Sequence, residues 1–194
     1  MGRYTSKLVG QILGDLEEYS LKNNLKEKAL CQLYNLIVCV EIKIQPFAER
    51  ILRSVVYKLI LDEEPQIANR VLKITELLGL YLPTEYLIPM IVTHLTDQDS
   101  KQVPLFVQSC LTALSAVITN SGERFADQLE GQIDKLLDLI ISSDYLQCEN
   151  FDVLMRTAMV THNLVYAGGA KSCKPRQNKL FKVLLQLGSI PALE

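Results

Sequence analysis

The side chains able to do acid–base, nucleophilic or metal chemistry are few in this sequence, and their spacing suits none of those tasks. The histidines are His94 and His162. They form no HExxH and no i, i+4 pair, so a metal site built on them would have to be gathered from distant segments. Cys148 with His162 is the best thiol and imidazole combination, yet no recurring nucleophile context surrounds either, and structural roles explain both more simply. His162 falls on an apolar helical stripe and is expected in the core, hydrogen-bonded. His94 falls near a helix C-terminus, where a cation or donor is favoured. Neither a GxSxG elbow nor a GxGxxG or GxxxxGK[ST] loop occurs, and Gly168-Gly169 follows a helical pattern, as a terminator does. The acidic pairs Glu17-Glu18 and Glu63-Glu64 belong to helix ends or polar faces. No catalytic residue, metal or cofactor is therefore expected.

Five basic residues, Lys171, Lys174, Arg176, Lys179 and Lys182, follow one another without an acid among them. Such a stretch could dock an acidic peptide or polyanion, or serve as a solvated loop and helix start. Over the whole chain 20 Lys and Arg stand against 22 Asp and Glu, a net charge of −2, which gives no global attraction to nucleic acid or anionic lipid. The five cysteines, Cys31, Cys39, Cys110, Cys148 and Cys173, are odd in number and contain no CxxC pair, so neither a disulfide framework nor a zinc clasp is suggested. The start of the chain lacks the pattern of a secretory signal, and a reduced, cytoplasmic location is expected. The apolar run from Leu33 to Ile44 holds Glu41 and Lys43 and falls short of the roughly 20 apolar residues a bilayer crossing needs.

The elements that would carry these side chains are helices in pairs. Ile67, Val71, Ile74, Leu78 and Tyr81 follow helical spacing, with Asn69, Arg70, Lys73 and Glu76 opposite, and Pro65 stands where a helix tolerates a missing N–H. Phe47, Ile51, Leu52, Val55, Leu59 and Ile60 form an earlier stripe beginning at Pro46. So short a connection makes the two helices antiparallel. The plan recurs: Thr84 caps a helix with Leu87, Ile91 and Leu95, a polar turn runs from 96 to 102, and Pro104 opens a helix with Val107, Cys110, Leu111, Leu114 and Ile118. Leu129, Ile133, Leu136 and Ile140 then pair with Phe151, Leu154, Met155, Ala158, His162 and Val165. The expected repeats are 4–42, 46–81, 84–119 and 127–166, with a last helix over 176–187, in one domain of 194 residues. No segment alternates with period two, so strands are not expected.

Four pairs and a half-pair of about forty residues match the HEAT or armadillo class of α-solenoid, in which each unit buries its apolar face against the next. Asn69, Arg70, Lys73 and Glu76, with Gln108, Thr112 and Ser115, are then the candidate contact strip along the groove that such stacks present. Asp62-Glu63-Glu64, Glu76-Leu77 with Gly79, Glu85, Ile91 and Leu95 resemble the late repeats of the dynein axonemal assembly factor 5 family, over roughly residues 46 to 142. The resemblance implies a cytoplasmic, non-enzymatic scaffold for pre-assembling axonemal dynein arms, with dynein chains, chaperones and other assembly factors as partners. It brings no catalytic residues, and it implies a C-terminal portion or reduced form, because the family's proteins are longer. The alternatives are a general HEAT or armadillo module for transport or complex assembly, and a helical enzyme using Cys148 with His162. The lack of Trp disfavours a nuclear-import groove.

Overall fold

A computed structural model describes residues 2–18, 23–97, 103–121, 126–141 and 149–188. Among these the chain is all helix, without a strand. The elements are α1 (Gly2–Glu18), α2 (Asn23–Val40), an irregular α3 over 48–59, α4 (Pro65–Tyr81), α5 (Thr84–Thr96), α6 (Pro104–Asn120), α7 (Ala126–Ile141), α8 (Phe151–Cys173) and α9 (Gln177–Gly188). Within pairs, α1 packs on α2, α3 on α4, α5 on α6 and α7 on α8. Between pairs, α2, α4, α6 and α8 pack successively as one layer, while α5, α7 and α9 follow each other in the second. The result is an α-solenoid of antiparallel helix hairpins.

Helix α4 shows how the apolar pattern produces this arrangement. Ile67, Val71, Ile74 and Leu78 are buried, whereas Asn69 and Lys73 on the opposite side are exposed. Glu64 is the extended residue before the helix, and its carbonyl accepts from the N–H groups of Ile67 and Ala68. Pro65 occupies the first turn, where its lack of an N–H loses no bond. Thr84 departs from its expected capping role: it is the first residue of α5, follows Pro83 as N-cap, and buries its Oγ1 with no partner among the described residues.

The stripe along α8 also lies differently from the expected one. Val153, Thr157, Val160, Thr161 and Leu164 are buried, while Phe151, Met155 and His162 are exposed. The reason is that the threonine hydroxyls are satisfied within the helix. Thr157 Oγ1 donates to the Val153 carbonyl and Thr161 Oγ1 to that of Thr157, both at 2.8 Å, so these residues enter the core with no unpaired donor. His162 is thus a surface residue, its Nδ1 beside Asn163 Oδ1 at 3.2 Å. The helix ends at the glycine pair as expected: Gly169, with a φ of 56° and ψ of −160° in a region open mainly to glycine, kinks the chain before the last helical turn to Cys173.

The second irregularity is α3. Glu41 has a φ of 49°, and the chain passes through a 3-10 turn, Glu41–Phe47, that contains Pro46 instead of starting after it. Ala48–Ile51 is α-helical, Leu52–Val56 is a π turn, and Tyr57–Leu59 resumes the α form.

Helix α6 is buried almost all round, from Val107 to Ile118 apart from half-buried Thr112. It meets α4 at Gly79: a Cβ built there would lie 3.0 Å from Val117 Cα and 3.1 Å from Val117 O. These are backbone atoms, which cannot swing aside. Gly79→Ala should lower unfolding free energy by about 1–2 kcal/mol, since overpacking exceeds the helix-propensity gain of alanine. Gly131 on α7 is exposed with nothing near its Cβ position, and Gly131→Ala should raise stability by up to about 1 kcal/mol. Urea unfolding of the two variants checks this; stabilisation by both would remove the close approach.

Candidate protein-binding face

The layer of α2, α4, α6 and α8 carries three recesses in a row. One, of about 280 Å³, lies between Tyr34 of α2, Lys73, Glu76 and Leu80 of α4, and Asn120 of α6. The next, of about 270 Å³, shares Glu76 and Asn120 with it and is closed by Arg156 and Met159 of α8. The third, of about 430 Å³, shares Thr119 with the second and reaches Tyr166 and the start of α7. Helix periodicity alone places Lys73, Glu76 and Leu80 on one side of α4, and Met155, Met159 and Tyr166 on one side of α8.

The residues singled out in the sequence divide over this face. Asn69 and Lys73 are exposed on α4, Glu76 is half-buried in the first two recesses, and Arg70 lies 5.8 Å from the centre of the Tyr34 ring. On α6, Gln108 and Ser115 are buried and Thr112 half-buried, so the strip there is narrower than the polar pattern suggested. Thr112 and Ser115 serve as a seam: Thr112 Oγ1 accepts from Arg156 Nη1 at 2.8 Å, and Asn163 Nδ2 donates to Ser115 Oγ at 2.7 Å and Thr119 Oγ1 at 3.0 Å. Burial pushes the Arg156 pKa down, and Asp152 one turn earlier opposes this. What the sequence reading missed is the exposed Met155, Met159 and Tyr166, at 46, 52 and 85 % exposure. The threonine back-bonds concealed the phase that reveals them.

The basic stretch lies elsewhere, against α7. Lys171 Nζ lies 2.8 Å from Glu130 Oε1, Arg176 Nη1 lies 3.1 Å from Asp134 Oδ1, and Arg176 Nη2 lies 2.7 Å from Asp138 Oδ2. The acids stand at i, i+4 and i+8 on α7, a signal legible in the sequence but not used. Pairing holds the carboxyls of Glu130 and Asp138 below their ordinary pKa. Lys174, Lys179 and Lys182 are exposed.

His94 stands in the last turn of α5, at the helix end expected of it, and is buried at the junction of α3, α5 and α6. Its Nδ1 is 3.0 Å from Tyr57 Oη, the two rings meet edge to face at 5.5 Å, and Phe106 meets Tyr57 at 5.1 Å. Burial lowers the His94 pKa, with Arg53 acting in the same sense and Glu49 and Asp97 opposing. Burial also pushes the Cys110 thiol up to about 12, so it is a poor nucleophile beside that pair. Cys148 falls outside the described residues. Among the described residues no three His, Cys, Asp or Glu converge as metal ligands, and no helix is long and apolar enough to cross a membrane.

Comparison with known proteins gives one family: the model described as dynein axonemal assembly factor 5, HEAT-repeat domain, matches residues 1–191. The match extends the likeness seen over 46 to 142 to nearly the whole chain. No curated protein matches.

Two measurements check the charge assignments. His94 takes up protons more readily unfolded than folded, because its folded pKa is depressed, so its contribution to stability is full above about pH 6.5 and is lost as pH falls below. The melting temperature should therefore drop between pH 7.5 and 5.5, and His94→Gln should flatten that drop. Helix α9 buries little beyond Val183, with Phe181, Leu184 and Leu185 exposed. Arg176→Ala should accelerate amide exchange across α9 while leaving the exchange of α6 unchanged.

Proposed function

We propose, from the premise that this chain belongs to the dynein axonemal assembly factor 5 HEAT-repeat family, that it is a protein-binding scaffold acting in the cytoplasmic pre-assembly of axonemal dynein arms. The observation that carries the reading is the row of recesses along α2, α4, α6 and α8, which combines exposed Met159 and Tyr166 with Lys73, Glu76 and Arg156, with exposed Met155 one turn from Met159. Recesses of this size take side chains of a partner chain and fall at or below the lower end of small-molecule sites, except the third. The family supports a repeat scaffold. The family's name supports the dynein role, with dynein chains, chaperones and other assembly factors as the proposed partners.

The role of the candidate strip follows. Asn69, Lys73 and Glu76 meet the partner from α4, with Arg70 and the half-buried Thr112 bordering it, while exposed Lys174, Lys179 and Lys182 form a separate basic edge. Crosslinking mass spectrometry of the tagged chain in ciliating cells should recover dynein chains or assembly factors crosslinked to Lys73 more than to Lys28 of α2. Recovery of neither class of protein would remove the dynein role, and recovery with crosslinks confined to Lys174–Lys182 would move the contact to that edge.

A further inference from the structure

The half-buried cations of the described chain are Lys26, Arg70, Arg156 and Arg176. Three have a partner suited to their charge. Lys26 Nζ lies 3.6 Å from Asp62 Oδ2, Arg70 lies over the Tyr34 ring, and Arg176 meets Asp134 and Asp138. Arg156 bonds a hydroxyl, Thr112 Oγ1, and no carboxylate; Asp152 one turn earlier acts on it only through space, and its Nε is enclosed with no acceptor among the described residues. A guanidinium stays charged and presents its donors as a planar fork that fits a carboxylate with two parallel bonds. Nε lies too deep for an incoming group, so a partner carboxylate would bond the outer Nη groups and offset the burial of the charge.

The surroundings of Arg156 define what must accompany that carboxylate. Leu72 and Leu111 form apolar walls, Glu76 lines the α4 side and confines an incoming acid to the Arg156 end, and Met159, at 52 % exposure, stands one turn from Arg156 on the open side. Met155 extends the same apolar edge at 46 % exposure. Thioether side chains adapt to the shape of an apolar partner. We propose that the recess between α4, α6 and α8 is the docking site for a partner segment that carries one Asp or Glu between apolar residues, its carboxylate on Arg156 and its flanks on Met155 and Met159. The inference rests on the protein-binding reading above and gives it a chemical specificity.

The test uses the full chain and a phage-displayed library of random dodecapeptides. The enriched peptides should share a single Asp or Glu flanked by Leu, Met or Phe, and a synthetic consensus peptide should bind by fluorescence anisotropy. Its Glu→Gln counterpart should bind about tenfold more weakly, as should Arg156→Gln toward the original peptide, with little further loss when the two changes are combined. Arg156→Gln retains a donor for Thr112, and Met159→Ser, at an exposed position, should weaken binding with no change in melting temperature. An enriched pool without an acid, or a consensus peptide that Arg156→Gln binds equally, overturns the inference. If such peptides lose affinity on Tyr34→Ala instead, the protein-binding reading stands without it. Absence of any enrichment overturns both, and self-association abolished by Met159→Ser assigns the site to a second copy and overturns the acidic-peptide occupant.

Discussion

Helix α6 is enclosed by α3, α4, α5 and α8, and the whole stack depends on its having no side that must face water. An enclosed helix has to dispose of its polar side chains internally. Ser109 Oγ donates to the Leu105 carbonyl at 3.0 Å and Thr112 Oγ1 to that of Gln108 at 2.8 Å, while at the outer end Thr119 Oγ1 donates to Ser115 O at 2.9 Å. The remaining lone pairs of Thr112, Ser115 and Thr119 accept from Arg156 and Asn163 of α8. Hydroxyls on one helix thereby do two things at once: they allow α6 into the interior and they register the next repeat against it. The glycine at position 79 completes the enclosure from the opposite side by letting two backbones touch.

Much of the fold is legible in residue order because α4 and α7 carry clean amphipathic patterns, and because Pro65 and Pro104 mark helix starts with a mechanism of their own. The phase of α8 was not legible in the same way. The stripe read from spacing takes in His162 and Met155 and passes over Thr157 and Thr161, whose i to i−4 hydroxyl bonds let them into the core. Gln108 and Ser115 are buried for another reason: α6 lies between four neighbours, which its own residue pattern does not reveal. At the candidate face, α4 supplied residues that sequence reading found, and α8 supplied the ones it missed.

Charge is distributed by a different logic at the end of the chain. Glu130, Asp134 and Asp138 on α7 answer Lys171 and Arg176, so the apparent surplus of positive charge in that stretch is partly spent within the molecule. Surface pairs of this kind contribute little to global stability, yet they can fix where a lightly packed element lies. The side chain of Arg176 is only 14 % exposed, laid along α7 by two carboxylates, while α9 itself keeps Phe181, Leu184 and Leu185 in water. Arg176 thus anchors the turn that leads into α9, while Leu180 and Val183 supply the apolar contact among its described residues.

The π turn in α3 has a geometric consequence for the stack. Leu52–Val56 packs on α1 and α4, whereas Tyr57–Leu59 packs on α6 and α4. A π turn takes in one residue more per loop than an α turn and so rotates everything after it about the helix axis. The π turn and the last turn of α3 accordingly face different neighbours, α1 and α6 respectively, while both touch α4. A few residues of backbone thereby act as a phase adjuster between consecutive units.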